Sequence, residues 1–282
     1  MYASNKQRYP ILGAGLWGEV LDAGDYVIKF SKRRCAGIGD GRAKVQREAE
    51  VLYEIARSPI QADIAFAQLI GWGALEEDKD STQQPTLWLK ATKLLGQPQT
   101  VQMLTDLTST EKRQVARAIS SALCDVHKQL ACIELSLPTP SQDLQTICEG
   151  IGGDVIAQRY VQKLVSALTT LRVDNTINIH GDFNLSNLLF KGNNICGVVD
   201  FAETRQGFVE EDLAAIVADL PAYRNMLMEC YENCAGCSVS ERRLDYGLAF
   251  KAFLSFAIAR RLRNHKAAQD MEKKLHRCLQ RL

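Results

Sequence analysis

Residues 177–203, INIHGDFNLSNLLFKGNNICGVVDFAE, restrict the fold more than any other stretch of this 282-residue chain. Ile177 and Ile179 lead into a polar loop, His180-Gly181-Asp182-Phe183-Asn184-Leu185-Ser186-Asn187. Two apolar runs follow, 188–190 and 195–199, joined by Lys191-Gly192-Asn193-Asn194, a hairpin signal. Asp200 comes directly after the second run. One hairpin therefore draws Asp182, Asn187 and Asp200 into one pocket. An Asx-rich surface turn, in which Asp and Asn bond their own backbone, explains one such side chain. It does not explain three at these spacings beside two β runs.

These residue types fit a narrow chemistry. A loop Asp five residues ahead of an Asn, with another Asp beyond a hairpin, is the polar set of nucleotide-dependent phosphoryl transfer. The first Asp positions a hydroxyl and accepts its proton; the Asn and second Asp hold magnesium against the phosphates. Hard oxygen ligands suit Mg²⁺, which keeps waters and needs only one or two carboxylates besides phosphate.

The stretch resembles the aminoglycoside phosphotransferase family, which is related to choline kinase and homoserine kinase and more remotely to protein kinases. His180-Gly181-Asp182, four residues and Asn187 resemble its catalytic loop. Val198-Val199-Asp200-Phe201 resembles its metal-binding strand end, and Asp212-Leu213-Ala214 the Asp-Leu-Ala that follows. The resemblance implies a two-lobed, protein-kinase-like α+β fold. A small antiparallel β lobe would span residues 1–96 and a larger, mainly helical lobe residues 97–282. It also implies ATP (or GTP) and Mg²⁺ as cofactors, Asp182 as the catalytic residue, and Asn187 and Asp200 as metal ligands.

The sequence before this stretch supplies the other parts. Gly13, Gly15 and Gly18 form G-x-G-x-x-G, which marks both dinucleotide folds and kinase loops. A dinucleotide fold needs a helix next. Here a turn at 21–25 leads into a strand, Tyr26-Val27-Ile28-Lys29-Phe30, the kinase arrangement of a hairpin over phosphates. Lys29 alternates against Ile28 and Phe30 and is the candidate phosphate-binding lysine. Val45, Ala49, Leu52 and Ala56 form a helical stripe. Glu48 lies about 60° from Val45, inside the apolar sector, whereas Glu50 and Glu54 fall on the solvent side. A carboxylate in an apolar sector needs a cation, and Lys29 is the natural one. By resemblance, an adenine edge would meet the backbone near Thr92 and Leu94, where the chain crosses between lobes.

Further along, residues 64–75 read as a strand region broken at Gly71 and Gly73, and 76–85 as an exposed hairpin loop. Thr108-x-x-Glu111 is a capping box that starts a helix running to about residue 130, with His127 packed near its end. Residues 135–142, with two prolines, read as loop; 155–171 and 241–262 read as helices, and the basic 260–282 tail as a solvated face. His180 is expected to orient the loop, Asp212 to bond its backbone, and Ser186 either to touch phosphate or to close a turn. Cys230, Cys234 and Cys237 are weak evidence for zinc without a second pair.

Net charge +1 gives no global field for nucleic acid or a membrane. No apolar run reaches the roughly 18 residues that span a bilayer. Nine scattered cysteines and no secretion signal suggest reduced thiols in a cytoplasm. Eleven residues separate Asp200 from Asp212, too few for a long activation segment. Gly181 stands where many protein kinases carry Arg, and Asn184 where they carry a catalytic-loop Lys. These features favour a small-molecule hydroxyl acceptor: aminoglycoside-, amino alcohol- or sugar-like. Glu203, Glu210, Glu211, Asp219, Glu229 and Glu232 read equally well as an acidic wall for a cationic acceptor or as surface charge. Thr204-Arg205-Gln206-Gly207-Phe208 departs from the family's usual Gly-Asp-Pro. Competing readings are a secreted protein kinase-like effector and a nucleotide-binding pseudokinase scaffold. The complete Lys29, Glu48, Asp182, Asn187 and Asp200 set argues against the scaffold.

Overall fold

A computed structural model describes residues 8–32, 40–75, 85–171 and 176–282. Short apolar runs in the first part of the chain form strands β1 (Ile11–Ala14), β2 (Gly18–Asp22) and β3 (Tyr26–Ser31). Helix α1 (Gly41–Arg57) follows, then β4 (Ala65–Phe66), β5 (Leu69–Ala74) and β6 (Leu87–Thr92). Strands β1-β2-β3-β6-β5 make one antiparallel sheet in that order. Gly71 and Gly73 do not break β5, contrary to the sequence expectation. A Cβ at either would stand 3.5–3.6 Å from the Trp88 ring on β6, so the glycines leave room for the indole. All of the expected 76–85 loop except Pro85 lies outside the described residues.

Asp40 caps α1 by accepting the Arg42 N–H at 2.9 Å. The helix packs on the sheet and on the turn after Asp200, so its buried arc is wider than the apolar stripe suggests. Glu48 lies in the middle of that arc. Ala56 is exposed, and Glu54, expected to be solvated, is buried and bonded to Arg57 at 3.1 Å.

The rest is mainly helical: α2 (Val101–Thr105), α3 (Ser109–Ala131), α4 (Pro140–Ile151), α5 (Val155–Thr169), α6 (Val209–Asp219), α7 (Arg224–Ala235), α8 (Glu241–Arg261) and α9 (His265–Leu279). Thr108 and Glu111 cap α3 reciprocally. The expected loop at 135–142 is in part the start of α4. Pro140 occupies its first turn, where proline is tolerated because no N–H partner is needed, and Thr139 pairs with Gln142 as a second capping box. The basic tail is α9, whose Ala268, Leu275 and Cys278 are buried.

Strands β7 (Ile177–Ile179), β8 (Leu188–Lys191), β9 (Asn194–Val198) and β10 (Arg205–Gly207) frame the polar loop. β8 and β9 form the hairpin read from the sequence. β4 joins β9 in parallel, and β10 pairs with β7. One apolar cluster runs from Val45, Ala49 and Leu52 on α1 through Leu89 into α3, α6 and α8. A separate small cluster, Leu21, Ile28 and Phe30, lies on the other side of the sheet.

Candidate active site

The polar loop owes its shape to Asp212, at the first turn of α6 and fully buried. Its carboxylate accepts the N–H of His180 and of Gly181, both at 2.8 Å, and His127 Nε2 at 3.0 Å. The Tyr231 hydroxyl meets His127 Nδ1 at 2.8 Å. Burial pushes the Asp212 carboxyl up, but the hydrogen bonds from His127 and the loop outweigh it and the pKa is lowered. Asp219 adds a further anchor on the Leu185 N–H at 3.1 Å. Gly181 has φ +81°, and a Cβ there would fall 2.1 Å from the Glu203 carbonyl oxygen. No larger residue fits this position.

His180 is buried between two backbones. Its Nδ1 accepts the Asp182 N–H at 3.3 Å and its Nε2 meets the Val199 carbonyl at 3.2 Å. Both ring nitrogens therefore orient Asp182 and the β9 end. The Asn187 amide donates to the Asp182 backbone carbonyl at 2.8 Å and to its Oδ2 at 3.3 Å. With the nitrogen so used, the Asn187 side-chain oxygen is left as an acceptor. The Val199 N–H binds the Asn187 carbonyl at 3.0 Å, which closes the hairpin beside Asp200. Ser186 closes a turn: its hydroxyl donates to Asn184 Oδ1 at 2.5 Å.

Asp200 has φ +67° and ψ +68°, the left-handed region that a non-glycine residue adopts at some cost. This conformation turns its carboxylate to Lys29, whose Nζ bonds Asp200 Oδ1 at 2.7 Å and Glu48 Oε2 at 2.6 Å. Lys29 and Glu48 are buried, whereas 43% of the Asp200 side chain is exposed to the cleft. Burial alone would lower the Lys29 ammonium; the two carboxylates outweigh it and raise its pKa. Burial keeps Glu48 above its ordinary value despite Lys29. Asp200, likewise pushed up by burial, ends below its ordinary value because of the Lys29 charge and hydrogen bond.

The glycine loop lies above this cluster. Gly15 N–H binds the Gly18 carbonyl at 2.9 Å and tightens the β1–β2 turn. A Cβ on Gly18 would meet the Phe30 carbonyl at 2.9 Å and the Lys29 stem at 3.4 Å, so Lys29 passes beneath Gly18. Around Gly13 and Gly15 the equivalent positions are open space. The arrangement presents backbone over a cation, which suits polyphosphate, with the Asp200 carboxylate facing the cleft beside it.

A family profile described as "Phosphotransferase enzyme family" matches residues 19–236. The chain belongs to this phosphotransferase family. Solved structures with the same fold include the GDP and kanamycin complex of APH(2")-IIia, with TM-score 0.68 and 14% identity over 99% of this chain and 96% of that one. The gentamicin–APH(2")-IIa complex gives TM-score 0.65 and 15% identity over 97% and 94%. A ternary complex of a thermostable APH(4)-Ia mutant with AMP-PNP and hygromycin B gives 0.60 and 16% over 97% and 93%. Comparison with curated proteins finds no match.

This phosphotransferase brings Lys29, Glu48, Asp182, Asn187 and Asp200 to one site. Thr92 is engaged elsewhere: its N–H donates to the Gln68 carbonyl at 2.9 Å and its hydroxyl accepts the Gln68 N–H at 2.8 Å. The Leu94 side chain faces β9, 2.9 Å from where a Gly197 Cβ would stand.

The six acidic residues after Asp200 are also engaged. Glu203 pairs with Lys44 on α1. Glu210 accepts the Ser240 N–H at 2.8 Å, and Glu211 holds Arg205 at 2.7 Å and the Phe208 N–H at 2.9 Å. Asp219 serves Leu185 as above, Glu232 accepts the Val239 N–H at 2.8 Å, and exposed Glu229 pairs with Arg113 at 3.5 Å. These bonds support structural roles rather than an acidic wall. Arg205, in the segment that departs from the family pattern, is buried between Asp143 at 2.9 Å and Glu211, over the Phe250 ring.

One site residue escaped the sequence reading. Lys251 on α8 pairs with Asp182 Oδ1. Its signal is its isolation: it is the only charged side chain in the run YGLAFKAFLSFAIA, residues 246–259. Among the described residues no group of three or more His, Cys, Asp or Glu is arranged to hold a metal, Cys230, Cys234 and Cys237 included. No described helix is long and apolar enough to cross a membrane.

Proposed function

We propose that this chain transfers the terminal phosphoryl group of ATP, with Mg²⁺, to a hydroxyl of a small molecule. The observation that carries this reading is the convergence of Asp182, Asn187 and Asp200 with the Lys29–Glu48 pair beneath the glycine loop. Asp182 takes the acceptor's hydroxyl proton as its oxygen attacks phosphorus. Lys29, steadied by Glu48, holds the nucleotide phosphates under Gly13, Gly15 and Gly18. Asn187 and Asp200 supply the oxygen donors that Mg²⁺ requires, one amide oxygen and one cleft-facing carboxylate. When bound, the metal would neutralise charge on the phosphate oxygens. Catalysis is then mostly positioning and charge neutralisation. The two sides of this cleft would be a small lobe and a large lobe, with the boundary near residue 96. The adenine edge is expected near Leu94, with the Thr92 N–H already bonded to Gln68.

The solved relatives bind aminoglycosides, which makes such compounds the first acceptors to try. The structural use of the six carboxylates gives amino alcohols, nucleosides and sugars equal standing. The test is Mg²⁺-dependent ADP release against a panel of these four classes, with Asp182→Ala as control. Acceptor-stimulated turnover should fall about 10²-fold or more in the variant. Undiminished turnover in Asp182→Ala, or no ATP binding by the wild type, would refute the assignment.

A further inference from the structure

We propose that Lys251 is the positioning cation of this active site, supplied by α8 in place of a cation on the catalytic loop. The proposal rests on the phosphotransferase reading above and adds a residue to it.

Three observations converge on Lys251. The loop brings no cation of its own: Asn184, two residues past Asp182, has its Oδ1 bonded to the Ser186 N–H at 2.9 Å and to the Ser186 hydroxyl. The neighbouring cation, Lys29, is bonded to Glu48 and Asp200. Lys251 bonds Asp182 Oδ1, with its side chain 30% exposed, while Asn187 donates to Oδ2. Its placement is built in. Gly247, one turn earlier on α8, packs so close to α6 that a Cβ would stand 2.8 Å from the Ala214 Cβ and 3.0 Å from the Glu211 Cα. That approach seats α8 against the helix that carries Asp212, and a residue four positions on shares the face of Gly247.

The charge has a use. Asp182 must stand beside a nucleotide that brings several negative charges, and a bare carboxylate there would repel it. Lys251 holds Oδ1 and offsets that charge. Oδ2, near Asn187, remains to take the proton while the acceptor oxygen bonds phosphorus and the bond to the departing ADP oxygen breaks.

The test uses basal Mg-ATP hydrolysis, with water as acceptor, so no acceptor need be known. Lys251→Met should lower kcat about 10²-fold, as expected for a misplaced catalytic group, with the KM for ATP nearly unchanged. Lys251→Arg, which keeps the charge, should recover at least a tenth of the lost rate. A second readout needs no turnover: acylation of Lys251 by an amine-selective reagent, mapped by mass spectrometry, should be several-fold faster in Asp182→Asn. Undiminished kcat in Lys251→Met overturns the proposal. So does a rise in KM alone, an Arg variant no better than Met, or equal labelling with and without Asp182. If Asp182→Ala also hydrolyses ATP normally, the phosphotransferase reading falls with it. If only that variant is inactive, the reading stands and the role of Lys251 fails.

Discussion

Asp212→Asn tests how the catalytic loop is held, and the structure sets the size of the effect. The carboxylate accepts three hydrogen bonds and is fully buried. An amide has one oxygen. Its cheaper orientation puts nitrogen at the Oδ1 position, facing the Gly181 N–H, donor against donor. That loses one charge-assisted bond, about 1.5–3 kcal/mol. The bonds from His180 and His127 survive but lose their ionic partner, about 1 kcal/mol each. The total is about 3–5 kcal/mol, a large part of a typical domain's stability. The melting temperature should fall by on the order of 10 °C. The bonds lost belong to the residues just before Asp182, so kcat should fall as well, about 10²-fold for a shift near 1 Å. The pH dependence gives an independent check. The folded carboxyl titrates below the ordinary 3.8, so its stabilisation is present above that pH and is lost as pH falls through the folded value. The gap between wild type and variant should therefore close in strong acid. Thermal unfolding by circular dichroism and steady-state ADP release measure both effects. Wild-type melting together with wild-type kcat would show that Asp212 does not hold the loop.

Two further outcomes are expected. Lys29→Met should lower kcat/KM for ATP about 10²–10³-fold, because it removes the cation from the phosphate site; steady-state kinetics within a factor of two of wild type would count against the site. Glu210 is buried with Oε2 lacking a hydrogen-bond partner, and burial raises its pKa above the ordinary 4.5. Its stabilising contribution is full below 4.5 and is lost as pH rises through the folded value, so Glu210→Gln should gain in melting temperature over wild type as pH climbs from 5 to 8. A difference that stays flat or shrinks with pH would contradict this.

The sequence made legible what depends on short range. Asp182, Asn187 and Asp200 are brought together by one hairpin, and hairpin signals are local. Glu48 was readable because helix phase put a carboxylate in an apolar sector, where it needs a cation, and strand alternation offered Lys29. The misses depend on packing between distant elements. Lys251 reaches Asp182 over 69 residues through the α6–α8 contact, and Lys44 reaches Glu203 over 159. One of the partners that bury Arg205, Asp143, is on α4, a helix obscured by reading Pro140 as a loop residue rather than a helix start. Glu54 fell on the wrong side because α1 packs on two surfaces, and one apolar stripe reports only one of them.

The same packing sets which side of the cleft is held more firmly. Helix α1 is tied to the helical half in several ways. Its apolar residues share the large core, Lys44 pairs with Glu203, and β4 extends the sheet of the catalytic hairpin. The connector after α1 is fastened to α3: the Ile60 N–H binds Gln129 at 3.1 Å, Gln129 binds the Ser58 carbonyl at 2.8 Å, and the Asp63 N–H binds Asp125 at 2.9 Å. Glu48 is therefore carried on a helix anchored to the half that holds Asp200. The β1–β2 hairpin packs on the small Leu21, Ile28 and Phe30 cluster, and β1 is exposed along its length. Rearrangement on nucleotide binding should concentrate where burial is least. Lys29 joins the two regimes. Were a metal to bind Asp200 as proposed above and loosen its bond to Lys29, the Glu48 bond on α1 would still hold the ammonium. A lysine bonded to Asp200 alone would depend on that one carboxylate; bonded also to Glu48, it has a second anchor on α1.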